Sequence, residues 1–590
     1  MHKKLTWFLT MLALALFGFI FFFERKAPST AERTAAPRLL SIDAQEVVAL
    51  EIKLDGGGTV RAEQTNGTWY LTKPAYPAQQ SIIEMFVTNL VQLRGFDKLA
   101  QHEVVIEGQK SFGLDPPRAV VEVETATNRY ELEVGGTAPL TNNIYVRMRP
   151  STDVLLTQAD LLRTLPKHTN DWRSRRLLQL ASIPFDHLQV RAGQRFFELM
   201  RNPTNRAWQI SRPIPARGDQ YQISALLDLV GRAQIGKFVA DGSADLETYG
   251  LQSPQVELGF NQGTNRIFTV EFGGSSTNET NTVFARLVGN TNLVTVSQEL
   301  VDFLKQPYQA FHDPRLFTLN NPGALDKIEI TFLEDFAVHR QADGRWMVGE
   351  NVPADLELLG EFISKVLALR IVDIVKEVPT EADLQALGLR KPIASYSFFE
   401  RMTNGAATPT NSLMATLSFG TNTADRIYAS RSDETPVYLT EFAKFLELPR
   451  YAYELRDRLI WNYTTGNVTR VTLSSAGGTN SATRTGPNWS ADPLANEAIG
   501  EAVFRLSHLK ALRWVTQGEE RKQSFGIVPG TEILEVELKT DSGTEVWRIH
   551  LGKLTMRRDI YAEHPRVPGL IFEFPGEIYH LLKQNLPAAK

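Results

Sequence analysis

The residues in this 590-residue chain that could do chemistry are its 67 carboxylates, its ten histidines and one glycine-rich string. The string, Gly231-Arg232-Ala233-Gln234-Ile235-Gly236-Lys237, fits the GxxxxGK spacing, in which main-chain N–H groups cradle phosphates and the Lys reaches their outer oxygens. Phe238 stands where a Mg²⁺-binding loop needs a Ser or Thr hydroxyl, and the string ends an amphipathic pattern instead of joining a strand to a helix. Phosphate binding is therefore not expected there. The histidines are scattered without HExxH or HxH spacing, and His339, in an alternating run, reads as a partly exposed sheet residue. No GxSxG elbow is present. Two Asp or Glu side chains in a cleft could hydrolyse a glycan, but no pair recurs along the chain. Without cysteine there are no disulfides, thiolate metal sites or cysteine nucleophiles. The expectation is no catalytic, cofactor-binding or metal-ligating residue, and no cofactor.

What does recur is architectural. A turn followed by Trp appears four times, ending at Trp69, Trp208, Trp346 and Trp489. A Gly and a branched residue, with Pro two or three places on, follow at Gly113-Leu114, Gly250-Leu251, Gly388-Leu389 and Gly526-Ile527, recurring about every 138 residues. A strand-ending Gly comes next, at Gly135, Gly273, Gly420 and Gly552, and then an aromatic, at Tyr145, Phe284, Tyr428 and Tyr561. Glycine supplies positive φ, Asn-Gly or Asp-Gly makes a tight turn, and proline punctuates elements. The chain thus reads as tandem modules: 44–180, 181–320, 321–462 and 463–590.

Within each module, alternating runs such as 47–54 and 120–124 predict half-buried strands. Apolar residues at helical spacing predict one helix over Ile82, Phe86 and Leu90, with counterparts at Ile223 to Val230, Leu358 to Leu369 and Ile499 to Leu509. A closing helix is expected at 161–165, 300–304, 442–446 and 578–582. The fold class expected is α+β, an N-terminal transmembrane helix followed by four tandem modules with mainly antiparallel sheets and two main helices each.

The segment 5–23 is uncharged, and nineteen helical residues span roughly 29 Å, close to the hydrocarbon thickness of a bilayer. Residues 1–26 are expected to form an anchor and 27–43 a flexible linker. The positive-inside count puts the N-terminus in the cytoplasm and the body outside the bacterial inner membrane, as a single-pass protein. A net charge of −4 gives nucleic acid little electrostatic reason to bind. Basic and aromatic residues gather where the first three modules end: Trp172-Arg173-Ser174-Arg175-Arg176, His312-Asp313-Pro314-Arg315 and Arg456-Asp457-Arg458. These clusters read as joints held by ion pairs, with binding of an acidic polymer as the alternative.

The order of hairpin, Trp, helix, Gly-Leu-x-x-Pro, strand-Gly, Tyr-x-Arg and Arg-rich exit resembles the bacterial membrane-anchored proteins grouped as domain of unknown function 4340 (DUF4340). Trp69, Gly113-Leu114, Gly135 and Tyr145-Val146-Arg147 carry the likeness best. In the fourth module Ile527 replaces Leu and Glu563 replaces Arg. The resemblance implies a single-pass protein whose genes accompany those of gliding-motility-type ABC transporters, and it implies no activity. The function expected is a non-catalytic, membrane-anchored extracytoplasmic scaffold or binding subunit. Its partners would be the membrane, through the N-terminal helix, and the permease, ATPase or auxiliary subunits of an ABC transporter. The alternatives are a cell-envelope enzyme such as a glycan hydrolase using Asp and Glu, and a receptor for peptide strands at exposed sheet edges.

Overall fold

A computed structural model describes residues 36–589 apart from 101, 103, 105–107, 140–141, 181–182, 243–244, 278, 291, 320, 403–409 and 542. The chain divides into two compact units, Met1–Trp208 with Gln220–Phe311, and Gln209–Asp219 with His312–Lys590.

The first sheet has nine strands: β1 (Val47–Leu54), β2 (Thr59–Thr65), β3 (Thr68–Lys73), β4 (Ala75–Pro77), β5 (Asp97–Lys98), β6 (Ala119–Thr125), β7 (Arg129–Thr137), β8 (Asn143–Arg149) and β9 (Val154–Gln158). Their order is β4-β3-β2-β1-β6-β7-β8-β9-β5, every pairing antiparallel. Period-two alternation sends Leu50, Ile52, Val60, Ala62, Val121 and Val123 to one face, where they are buried. Helix α1 (Gln80–Val91) leaves β4 at one edge of the sheet and delivers the chain to β5 at the other. It therefore covers that face, burying Ile83, Phe86, Val87 and Leu90 in the same core as Trp69 and the strand residues. Each such side chain contributes about 1.5–3 kcal/mol.

The same order recurs in three further sheets of nine, nine and eight strands. Their covering helices are α2 (Gln220–Arg232), α3 (Leu356–Leu367) and α4 (Pro493–Ser507). The eight-stranded sheet lacks a counterpart of β4 after its landmark Trp489.

Three expectations are corrected. Among the described residues the protein is predominantly antiparallel sheet with few helices, and a second main helix does not recur in every sheet. The closing helices stand at the expected places but are not main helices of every module: Leu161–Thr164 and Phe442–Phe445 are single turns of four residues, Gln298–Leu304 has seven and Gly576–Asn585 ten. An apolar cluster after a strand supplies one turn that caps the core, and nucleating more helix needs a longer amphipathic run. Among the described residues no helix is long and apolar enough to cross a membrane. The anchor expected over 1–26 lies outside the described residues, and the single-pass inner-membrane placement is withdrawn.

The two glycine landmarks turn out to serve one contact. Gly113, at φ 64°, packs against the strand-ending pair Gly135-Gly136: a Cβ on Gly113 would sit 2.6 Å from Gly136 N, and one on Gly135 would sit 2.5 Å from Phe112 O. Only main chain without side chains can approach so closely. The crossing is sealed by a hydrogen bond from Gly136 N to Phe112 O (2.8 Å), repeated from Gly274 N to Tyr249 O (2.8 Å) and from Thr421 N to Leu387 O (2.9 Å). The residue before the first glycine then meets the aromatic landmark edge-on: Phe112 with Tyr145, Tyr249 with Phe284, and Phe525 with Tyr561, at centroid distances of 5.0, 4.8 and 4.9 Å.

Candidate functional site

The basic clusters lie where the chain passes from one sheet to the next, and the backbone there follows one pattern three times. In the first unit, Ser174 N donates to Pro77 O (2.8 Å) beside β4, and three residues later Leu177 N donates to Ala233 O (2.9 Å) while Ile235 N donates to Arg175 O (2.7 Å). In the second unit the matching bonds are Asp313 N to Arg217 O, Leu316 N to Leu369 O and Ile371 N to Pro314 O. Then come Asp457 N to Pro353 O, Ile460 N to Leu509 O and Ala511 N to Arg458 O. Each passing segment is a short bridging strand that satisfies the N–H and C=O groups of a sheet edge on one side and of a post-helix segment on the other. Unpaired edges invite foreign strands, so this also protects them.

Two further segments complete the series. Leu39 N donates to Leu93 O (2.8 Å) and Gly95 N to Pro37 O (3.2 Å), so 37–39 lie against the segment after α1 as the bridging strands do elsewhere. At the eight-stranded sheet, Ser481 N donates to Pro587 O (2.9 Å) and Ala589 N to Thr479 O (2.8 Å). A peptide-strand receptor would need these positions open, and they are occupied.

Side chains distinguish the joints. In the first, Arg173 is fully buried, donates to both oxygens of Asp241 (2.6 and 2.8 Å), and lies over the rings of Tyr76 and Phe238. Those bonds hold the Asp241 carboxyl below the usual carboxylate range. In the second, Glu434, its side chain 2 % exposed, accepts from Arg217 N (3.0 Å) and Nε (2.9 Å) and from the Tyr438 hydroxyl (2.8 Å), with Arg431 Nε 3.2 Å away. Burial alone would push its pKa up, but Arg217 and Arg431 outweigh burial and hold it down. Asp313 accepts from Arg217 and Arg315. His312 Nδ1 donates to the Asp313 carbonyl (2.9 Å), and burial pushes the imidazole pKa down against the pull of Glu434. In the third joint, Arg458 donates to Asp355 (2.8 Å) and Glu357 (2.5 Å), while Asp355 also caps α3.

The first joint encloses a cavity of about 430 Å³. Tyr70, half-exposed, and Tyr76 give it aromatic walls, Asn290 and Asn292 give amides, and among the described residues Arg176 is the only charged one in the lining. Its back wall is fixed: Asn292 Nδ2 donates to Asp241 Oδ1 (2.9 Å), which the buried Arg173 holds in turn. Among the described residues no Asp or Glu lines this cavity. Carboxylates do meet in a more open hollow of about 550 Å³, where Glu299 and Asp302 sit on the short helix Gln298–Leu304 and Asp302 accepts from Gln298 Nε2 (2.8 Å).

The GxxxxGK string runs from the end of α2 into a strand, and its amides are committed to the first joint: Ile235 N to Arg175 O, Gly236 N to Thr295 O (2.9 Å) and Lys237 N to Thr295 Oγ1 (2.9 Å). His339 is a partly exposed residue of the strand Asp335–Arg340. Among the described residues no group of three or more His, Asp and Glu could hold a metal ion. The Arg of Tyr-x-Arg, Arg147, pairs across the sheet with Glu133, and Arg286, two residues after Phe284, does so with Glu271 (2.5 Å). Sequence reasoning missed a clamp at the landmark Trp. Gln80, the first residue of α1, accepts from Trp69 N (2.8 Å) and donates to Trp69 O (2.6 Å), and Gln220 does the same for Trp208 at 2.9 and 2.7 Å. The recurring Gln eleven or twelve residues after the Trp was the available signal.

A comparison with curated proteins finds no match. The family model described as domain of unknown function (DUF4340) matches residues 69–206, 208–392 and 346–527, most of the chain. The three matches begin at Trp69, Trp208 and Trp346, so the first runs from a landmark Trp through the bridging strand of the first joint into the next hairpin. The unit that recurs in the family therefore contains a joint, and by the extent of these matches the chain belongs to the DUF4340 family.

Proposed function

We propose that the protein is a non-catalytic binding scaffold whose partners are the permease, ATPase or auxiliary subunits of an ABC-transporter complex. One observation carries the scaffold part: the same three-bond bridging strand recurs where the chain passes from one sheet to the next at three places, each with an ion-paired arginine beside it. Repeated modules in one chain suit contacts made by several modules at once, where linked weak sites gain from effective concentration. The transporter part rests on the family resemblance. The test is mild cross-linking in the native cells, affinity capture of the full chain and quantitative mass spectrometry. Enrichment of transporter subunits is the expected result. Capture of the chain without them would overturn the reading.

A further inference from the structure

We infer that the cavity at the first joint binds an acidic saccharide. Its volume of about 430 Å³ lies toward the low end of the range for small-ligand sites, about 300–1,000 Å³, which suits one or two sugar rings. Tyr70, 50 % exposed, offers a ring face to the apolar C–H face of a pyranose, and Tyr76 is held in place edge-on to Phe238 at 5.2 Å. The amides of Asn290 and Asn292 can exchange hydrogen bonds with sugar hydroxyls, each amide both donating and accepting. Arg176 sets the charge of the ligand. It is exposed, it has no carboxylate partner among the described residues, and its planar fork matches a carboxylate bidentately.

Other ligands fit the lining less well. A nucleotide brings several phosphate charges to a site with one cation among its described lining residues. A peptide strand would need edge N–H and C=O groups that the bridging strand 172–177 already takes. The Asn292–Asp241–Arg173 chain of hydrogen bonds holds one wall before any ligand arrives, which lowers the ordering cost of binding. The site is independent of the scaffold reading.

The test is titration of the full chain with D-glucuronic acid and D-glucose, followed by calorimetry and by tyrosine and tryptophan fluorescence. Saturable binding of glucuronic acid is expected, at least tenfold tighter than glucose. Arg176→Gln, at an exposed position that leaves the thermal unfolding midpoint unchanged, should bring glucuronic acid down to the glucose level without altering glucose. Tyr70→Ala should weaken both sugars severalfold. Absence of saturation by either sugar would overturn the assignment, as would undiminished glucuronic acid binding in Arg176→Gln. Competition by acetate as effective as glucuronic acid itself would also overturn it, since that result would mean a carboxylate site with no part for the sugar.

Discussion

Arg173 and Arg456 stand at the same place in the first and third joints, each beginning a bridging strand, with isolated pairings to Ala78 and Ala354. Arg173 is fully buried, gripped by Asp241 and stacked on two rings. Arg456 is half-buried, lends its carbonyl to the Trp514 indole (2.9 Å), has no carboxylate partner among the described residues, and has its pKa lowered by burial alone. The backbone bonds around the two are nevertheless the same to within a few tenths of an ångström. The joint is thus a property of the main chain, and the charged side chains set how much each joint resists disruption. His312, the counterpart in the second joint, reinforces the point with a third side-chain type.

If that is right, the cost of removing a charge should follow its burial and not its mere presence at a joint. The largest effect is expected for Glu434→Ala, which removes the buried carboxylate that Arg217 and Arg431 share and leaves them only Asp313 and Asp433 as counter-charges: about 3–4 kcal/mol less stability, read as a lowered urea midpoint in the second unit. Next comes a pH effect. His564 is buried beside Arg456 and Arg566, and burial first, then those charges, push its pKa to about 4. The unfolded chain therefore takes up this proton at higher pH than the folded one. Its contribution is complete above about pH 6.5 and is lost as pH falls towards 4, roughly 3 kcal/mol in all. His564→Gln should flatten urea midpoints measured between pH 7 and pH 4.5, and an unchanged slope would show that the burial argument fails. A smaller loss, about 1–2 kcal/mol, is expected for Asp241→Asn, because the Asp241 side chain is 45 % exposed and water can replace part of what Arg173 loses. The smallest belongs to Arg345→Ala, an exposed pair with Asp343 away from any joint, where the midpoint should move by no more than about 0.5 kcal/mol. A loss at Arg345 comparable to that at Glu434 would break the comparison altogether.

The landmarks were legible because each reflects a backbone demand that only certain residues meet. Gly113 and Gly135 had to be glycine, and their spacing showed the repeat; that they touch each other was not legible, since sequence distance says nothing about which loop crosses which strand. The covering helices were found from four or five apolar positions in helical spacing. The closing helices were located but ranked too high, because a run such as Leu161-Leu162-Arg163-Thr164-Leu165 marks a helix without showing that the chain completes only a single turn there. The clusters at 172–176, 312–315 and 456–458 were recognised as ion-paired joints from composition. The bridging strands beneath them carry no side-chain pattern and could not be. The cavity escaped for a related reason: Tyr70, Arg176 and Asn290 lie far apart in the chain and meet only once the joint is folded.

The segments 37–39 and 587–589 carry a consequence for self-association. A joint that the chain uses three times internally is, in principle, one that a second copy could use again, and head-to-tail addition of this kind without closure produces filaments. In this protein, 37–39 sit where an incoming bridging strand would pair, and 587–589 line an edge of the eight-stranded sheet. Both segments thereby take main-chain hydrogen bonds that a strand of a second copy would otherwise compete for.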